Sequence, residues 1–140
     1  MIFVTVGTYQ GDRLIRHMDQ LAPKLGEPVI AQIGRGRYVP RSMRYFRFAP
    51  SLHELLDEAR LVISHGGVGT TFELLCRGKP LISVSNADIP DSHQDEILEH
   101  FARQGLLWWC GELHDLEELV RCLHQQSPRT YVPPSCDIRE

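Results

Sequence analysis

Short apolar runs alternate along the chain with longer stretches whose apolar residues recur every three or four positions. A run bounded by glycine or proline reads as a buried strand, and a 3.6-residue period reads as a helix packed by one face. On that basis Ile2 to Val6 is a strand ending at Gly7. Asp12 to Leu25 is a helix with Leu14, Ile15, Met18 and Leu21 on its core face. Val29 to Ile33 is a second strand, closed by Gly34 and Gly36, and Arg44 to Phe48 is a short third with alternating side chains. Ser51 with Glu54 three residues on matches a capping box that opens a helix through Glu58. Leu61 to Ile63 is a fourth strand, Thr70 to Cys76 a helix closed by Gly78, and Leu81 to Val84 a fifth strand. Ser92 to Gln104 and Asp115 to Gln125 are helices flanking a last strand, Leu106 to Trp109. Strands that are apolar throughout, joined by helices, predict a parallel sheet covered on both faces. The expected fold class is α/β, a single Rossmann-like three-layer domain with about six parallel strands. It spans residues 1–126 and is followed by an irregular tail over 127–140.

Composition narrows this picture without redirecting it. The chain has 140 residues, 42% hydrophobic and 24% charged, which suits one globular domain. The formal net charge of -3 argues against a nucleic-acid partner. Cys76, Cys110, Cys122 and Cys136 form no CxxC pair and read as reduced thiols. His93 and His100 lack metal-ligand spacing, so no metal site is expected. The N-terminal apolar run is short and has no basic leader, and no run approaches a membrane span, which predicts a cytoplasmic protein. Arg35, Arg37, Arg41, Arg44 and Arg47 crowd one segment. They read as a solvated charged edge, with lipid phosphates or an acidic partner surface as the alternative. Trp108 and Trp109 are expected to pack in and beside a strand.

The chemistry concentrates after the fourth strand, in His65-Gly66-Gly67-Val68-Gly69-Thr70-Thr71-Phe72-Glu73. A glycine-rich turn at the carboxyl end of a parallel strand brings backbone N–H groups close to an anion. The helix that follows adds its positive end, so a diphosphate fits there. Glu73, about one helical turn further on, can accept hydrogen bonds from ribose hydroxyls, as acidic residues do in other dinucleotide folds. A plain connecting turn would not need His65 and Glu73 on its flanks.

The segment resembles the nucleotide-sugar signature of GT-B glycosyltransferases, His-x-Gly-x-x-[Ser/Thr]-x-x-Glu, carried here by His65, Gly67, Thr70 and Glu73. Asp91-Ser92-His93-Gln94 resembles the acidic residue and glutamine that close that signature and hold the donor sugar. With Phe3-Val4-Thr5-Val6-Gly7-Thr8 at the start, the three blocks resemble the C-terminal-type domain of glycosyltransferase family 28. Stand-alone members of that kind are small donor-binding subunits of two-part enzymes: the dolichol-linked N-acetylglucosaminyltransferase and a bacterial exopolysaccharide counterpart. Gly11 stands before Asp12-Arg13-Leu14 where the family usually carries an aromatic.

The resemblance implies the C-terminal half of a GT-B fold and a donor-binding subunit of an inverting glycosyltransferase. A hexose-type sugar would pass from a UDP-sugar to a lipid-linked acceptor, without metal or other cofactor. Gly7, Thr8, His65, Gly66, Gly67, Gly69 and Thr70 would hold the diphosphate and Glu73 the ribose. Asp91, His93 and Gln94 would hold the sugar, and His65 is the candidate catalytic group. The general base usually belongs to the acceptor-binding half, so a membrane-associated partner subunit is implied that would recruit the chain to the inner face of the membrane. A homo-oligomer with one copy serving as each half stays open beside it. A non-catalytic nucleotide-binding module of a polysaccharide assembly is the alternative. A nicotinamide-dependent domain would want GxGxxG directly after the first strand, and Gly7 to Gly11 does not supply it.

Overall fold

The computed structural model of the chain describes residues 1–6, 11–65, 73–84, 92–105 and 107–125, and only the backbone of residues 92–95, 97, 98, 124 and 125. Six parallel strands form one sheet: β1 (Ile2–Thr5), β2 (Val29–Gln32), β3 (Arg44–Phe46), β4 (Leu61–Ser64), β5 (Leu81–Val84) and β6 (Trp108–Cys110). Their order is β3-β2-β1-β4-β5-β6, with every pair parallel. That is the Rossmann order, in which the chain reverses direction across the sheet between β1 and β4. The helices are α1 (Asp12–Leu25), α2 (His53–Glu58), α3 (Ser92–Arg103) and α4 (Leu116–Gln125), with residues 73–76 also helical.

Strand alternation sorts the core into two layers. Ile2, Val4, Ala31, Ile63 and Ile82 meet Leu14, Ile15 and Met18 of α1 and Leu116 and Val120 of α4. Phe3, Val62 and Leu81 meet Leu56 of α2, Leu74 and Leu75, and Phe101 of α3. Burying both strand faces is what the unbroken apolar runs required, each large side chain contributing roughly 1.5–3 kcal/mol. Trp108 packs against the first layer and Trp109 against the second, both from within the edge strand β6.

Several boundaries move. Val6, Ile33 and the end of the predicted third strand lie outside the ladder, β4 gains Ser64, and β6 shifts to end at Cys110. Asp115 belongs to a 3-10 turn (Leu113–Asp115) ahead of α4. Ser51 is not the cap of α2: Leu52 occupies that position, and Ser51 Oγ instead accepts from the His53 N–H at 3.2 Å. The stop at Gly78 is as expected. Gly78 has φ 71°, its N–H donates to Leu75 O at 3.0 Å, and the Lys79 N–H reaches Leu74 O at 3.3 Å. Those two bonds are a Schellman closure, which needs the left-handed residue that glycine tolerates. The tail beyond residue 125 lies outside the described residues.

The link from β2 to β3 departs most from the sequence pattern. A parallel crossover normally carries a helix, but residues 33–43 form an irregular strap laid along α1. Two α1 carboxylates satisfy its backbone. Asp12 Oδ1 accepts from the Arg37 and Tyr38 N–H groups at 3.0 and 3.2 Å. Two turns further along, buried Asp19 accepts from the Ser42 N–H at 2.7 Å, the Arg41 N–H at 3.1 Å and the Tyr38 hydroxyl at 2.6 Å. Burial opposes ionisation of Asp19, but these donors outweigh it and hold its carboxyl below the usual range.

Candidate functional site

In an open parallel sheet the carboxyl ends of the strands frame a crevice where the strand order reverses. Here that place is flanked by Thr5 and Val6 at the end of β1 and by Ser64 and His65 at the end of β4. At the carboxyl ends one register row carries Gln32, Thr5, Ser64 and Ser83 side by side, all buried. The Thr5 hydroxyl donates to Gln32 Oε1 at 2.8 Å. Below this row the same face is apolar, so the sheet changes character where a ligand would approach. Sequence reading missed the row. Its signal was a single polar residue at or next to the end of each otherwise apolar run.

His65 continues the ladder, its N–H donating to Thr5 O at 3.2 Å. Its ring is buried, with Nδ1 3.4 Å from Val84 O at the end of β5. A carbonyl only accepts, so Nδ1 carries the proton in that contact. Gly11 lies against the other side. A Cβ there would fall 2.7 Å from His65 Cδ2 and still closer to Val6. The glycine at the start of α1 is therefore a packing requirement, and an aromatic at that position would have no room. The ring is wedged between two strand ends and a helix start, which orients it firmly.

A cleft of about 380 Å³ opens beside the row, lined by Phe3, Thr5 and Gln32 of the sheet, Ser51, Leu52, His53 and Leu56 at α2, and Glu73, Leu74 and Arg77. Its lining mixes apolar Phe3, Leu52, Leu56 and Leu74 with polar side chains, the usual make-up of a small-molecule site. Glu73 stands on that rim with its side chain 61% exposed and Oε1 3.6 Å from Arg77 Nη2. The same guanidinium lies 2.9 Å from His53 Nδ1 and 3.5 Å from Asp57. Arg77 thus joins α2 to the helix bearing Glu73 and fixes the rim.

The structure brings His65 and Glu73 to the same end of the sheet. Gly7, Thr8, Gly66, Gly67, Gly69, Thr70 and Asp91 lie outside the described residues. His93 and Gln94 fall in the first turn of α3, where only the backbone is described. No group of three or more His, Cys, Asp or Glu among the described residues could hold a metal ion. No described helix is long and apolar enough to cross a membrane. Cys110 is buried, which pushes its thiol up to about 11 and keeps it unreactive.

The profile of the glycosyltransferase family 28 C-terminal domain matches residues 1–137. The mouse protein named UDP-N-acetylglucosamine transferase subunit ALG13 (Mus musculus) is 37% identical over 121 residues, covering 77% of this chain and 10% of its own length. The chain thus spans about a tenth of that relative. Among solved structures, MurG from Acinetobacter baumannii superposes with a TM-score of 0.72 at 19% identity, over 89% of this chain and 41% of that one. An NMR structure of ALG13 gives 0.64 at 22% identity, over 94% and 88%. At these identities the two superpositions speak for the fold, the C-terminal half of GT-B. With the signature residues in its sequence and a family match over residues 1–137, the chain belongs to the glycosyltransferase family 28 C-terminal domain family.

Proposed function

We propose that this chain is the donor-binding part of an inverting glycosyltransferase that takes a hexose-type sugar from a UDP-sugar. The observation that carries the proposal is the cleft beside the carboxyl ends of β1 and β2, with Glu73 on its rim and the buried His65 at the end of neighbouring β4. The apolar side chains of the lining, Phe3, Leu52, Leu56 and Leu74, suit a nucleoside, and the rim carboxylate suits ribose hydroxyls. A diphosphate would then reach the glycine-rich segment after His65, which the sequence pattern reads as a turn opening a helix, so that N–H groups and a helix end would stabilise the charge that develops as the bond to the sugar breaks. Gly7, Thr8, Gly66, Gly67, Gly69 and Thr70 are assigned to that diphosphate, and Asp91, His93 and Gln94 to the sugar. His65 orients the turn; the base that activates the acceptor hydroxyl comes from a second, membrane-associated, acceptor-binding subunit. The relatives' name makes N-acetylglucosamine the first sugar to test, with a lipid-linked acceptor of polysaccharide or glycolipid assembly.

Calorimetry of the purified chain with UDP, with and without a chelator, tests the donor site and the metal-free reading together. Equal affinity in both arms is expected, and loss of binding with the chelator would overturn the metal-free part. Sugar transfer is expected only after the partner subunit is added. UDP binding that never leads to transfer with any partner would leave a nucleotide-binding module of the assembly as the better description.

A further inference from the structure

The most exposed large hydrophobic side chains among the described residues are Val39, Tyr45 and Phe48, at 46%, 44% and 55%. Val39 lies on the strap, Tyr45 on β3 and Phe48 two residues beyond it, all at the outer edge of the sheet. They are interleaved with Arg35, Arg37, Arg41, Arg44 and Arg47, each exposed. No aspartate or glutamate occurs from Pro28 to His53, so this edge is basic in a chain whose net charge is -3. Arg47 is engaged, donating to Gly34 O and Gly36 O at 3.2 and 2.6 Å. None of the ion pairs of the described residues involves Arg35, Arg37, Arg41 or Arg44.

The patch is also built in advance. Asp12 and Asp19 hold the strap's backbone, and Arg16 lies 5.1 Å over the Tyr38 ring. Little ordering entropy is then left to lose on docking. Guanidinium groups suit phosphates, with which they form paired hydrogen bonds. Half-exposed aromatic and aliphatic side chains standing between them suit the headgroup layer of a bilayer, where an amphipathic ring sits with one end wet.

We propose that the edge made by the strap and β3 docks directly on an anionic phospholipid surface. The arginines meet lipid phosphates, and Val39, Tyr45 and Phe48 enter the headgroup layer. This contact is separate from the donor cleft, whose lining it does not share, and needs no partner subunit.

Sedimentation of the purified chain with vesicles tests it. Binding is expected to phosphatidylcholine mixed with phosphatidylglycerol and not to phosphatidylcholine alone, and it should weaken as salt rises. Replacing Arg35, Arg37 and Arg44 together by Gln should lower the partition coefficient on the order of 100-fold, at ~1 kcal/mol per basic residue near the surface. Phe48→Ser should also weaken binding but keep the salt dependence. Both variants change exposed side chains and should melt with the wild type; should one misfold, the lipid and salt dependence of the wild type decides alone. No binding, or equal binding to both vesicles, overturns the proposal. Capture by immobilised polyglutamate that matches vesicle binding and ignores Phe48→Ser overturns it too, in favour of an acidic protein partner.

Discussion

Asp19 shows how one side chain can hold a segment that has no secondary structure of its own. It is buried in the core face of α1, yet three donors from the strap converge on its carboxylate. Its carboxyl is held below the usual range, so the folded state binds its proton less readily than the unfolded chain does. The stabilisation is therefore complete above the unfolded value near 4 and is lost as pH falls through the folded one. Asp19→Asn should destabilise the protein by about 2–3 kcal/mol at neutral pH, because a charged acceptor is lost and N–H groups are left facing an amide. The gap from wild type should narrow in acid, as read by urea unfolding between neutral pH and pH values below ~4. A gap unchanged across that range would mean the carboxylate is not charged in the fold.

At the scale of elements, closures matter as much as periodicity. The helix carrying Glu73 ends in the Schellman pair at Gly78, directly before β5. Gly78→Ala forces a Cβ into the left-handed region and should cost about 1–2 kcal/mol in urea unfolding. UDP affinity should hold, since Gly78 is not part of the cleft lining. The short α2 is closed differently: Lys79 Nζ donates to Asp57 O at 3.0 Å and Ala59 O at 2.8 Å, so the residue after one helix caps another. At the opposite end of the sheet Glu27 receives both Nε and Nη2 of Arg60 at 2.7 and 2.6 Å, tying the start of β2 to the start of β4. Periodicity located these helices and strands; which ends lock to which is a matter of residues far apart in the chain.

For the whole molecule, the donor reading makes affinity and stability separable. Glu73 is a rim residue, 61% exposed and paired with Arg77 at 3.6 Å, so it adds little to the core. Glu73→Ala should weaken UDP binding by about 10- to 150-fold, the loss of a charged hydrogen bond worth roughly 1.5–3 kcal/mol. Its melting temperature should stay close to the wild type, because an exposed i,i+4 ion pair is worth only ~0.5 kcal/mol. The reverse outcome, a lowered melting temperature with unchanged affinity, would take Glu73 out of the site. Glu73→Gln keeps one acceptor oxygen and should lose less.

The sequence by itself determined the layer order and the parallel sheet, because strands buried on both faces must be apolar along their whole length and amphipathic helices must cover them. It also determined the family, through a glycine-rich run flanked by His65 and Glu73 at fixed spacing. It could not show the strap, because an irregular crossover has no period to read. The carboxylates that hold it lie on α1, where Asp19 breaks an otherwise apolar face and looks like an interruption. Nor could it show why position 11 is glycine, a question answered only when the end of β1, the start of α1 and the His65 ring meet. The cleft likewise draws on β1, β2, α2 and the helix after β4. Such contacts are set by how layers pack, which is decided by the fold as a whole and not by any local run of residues.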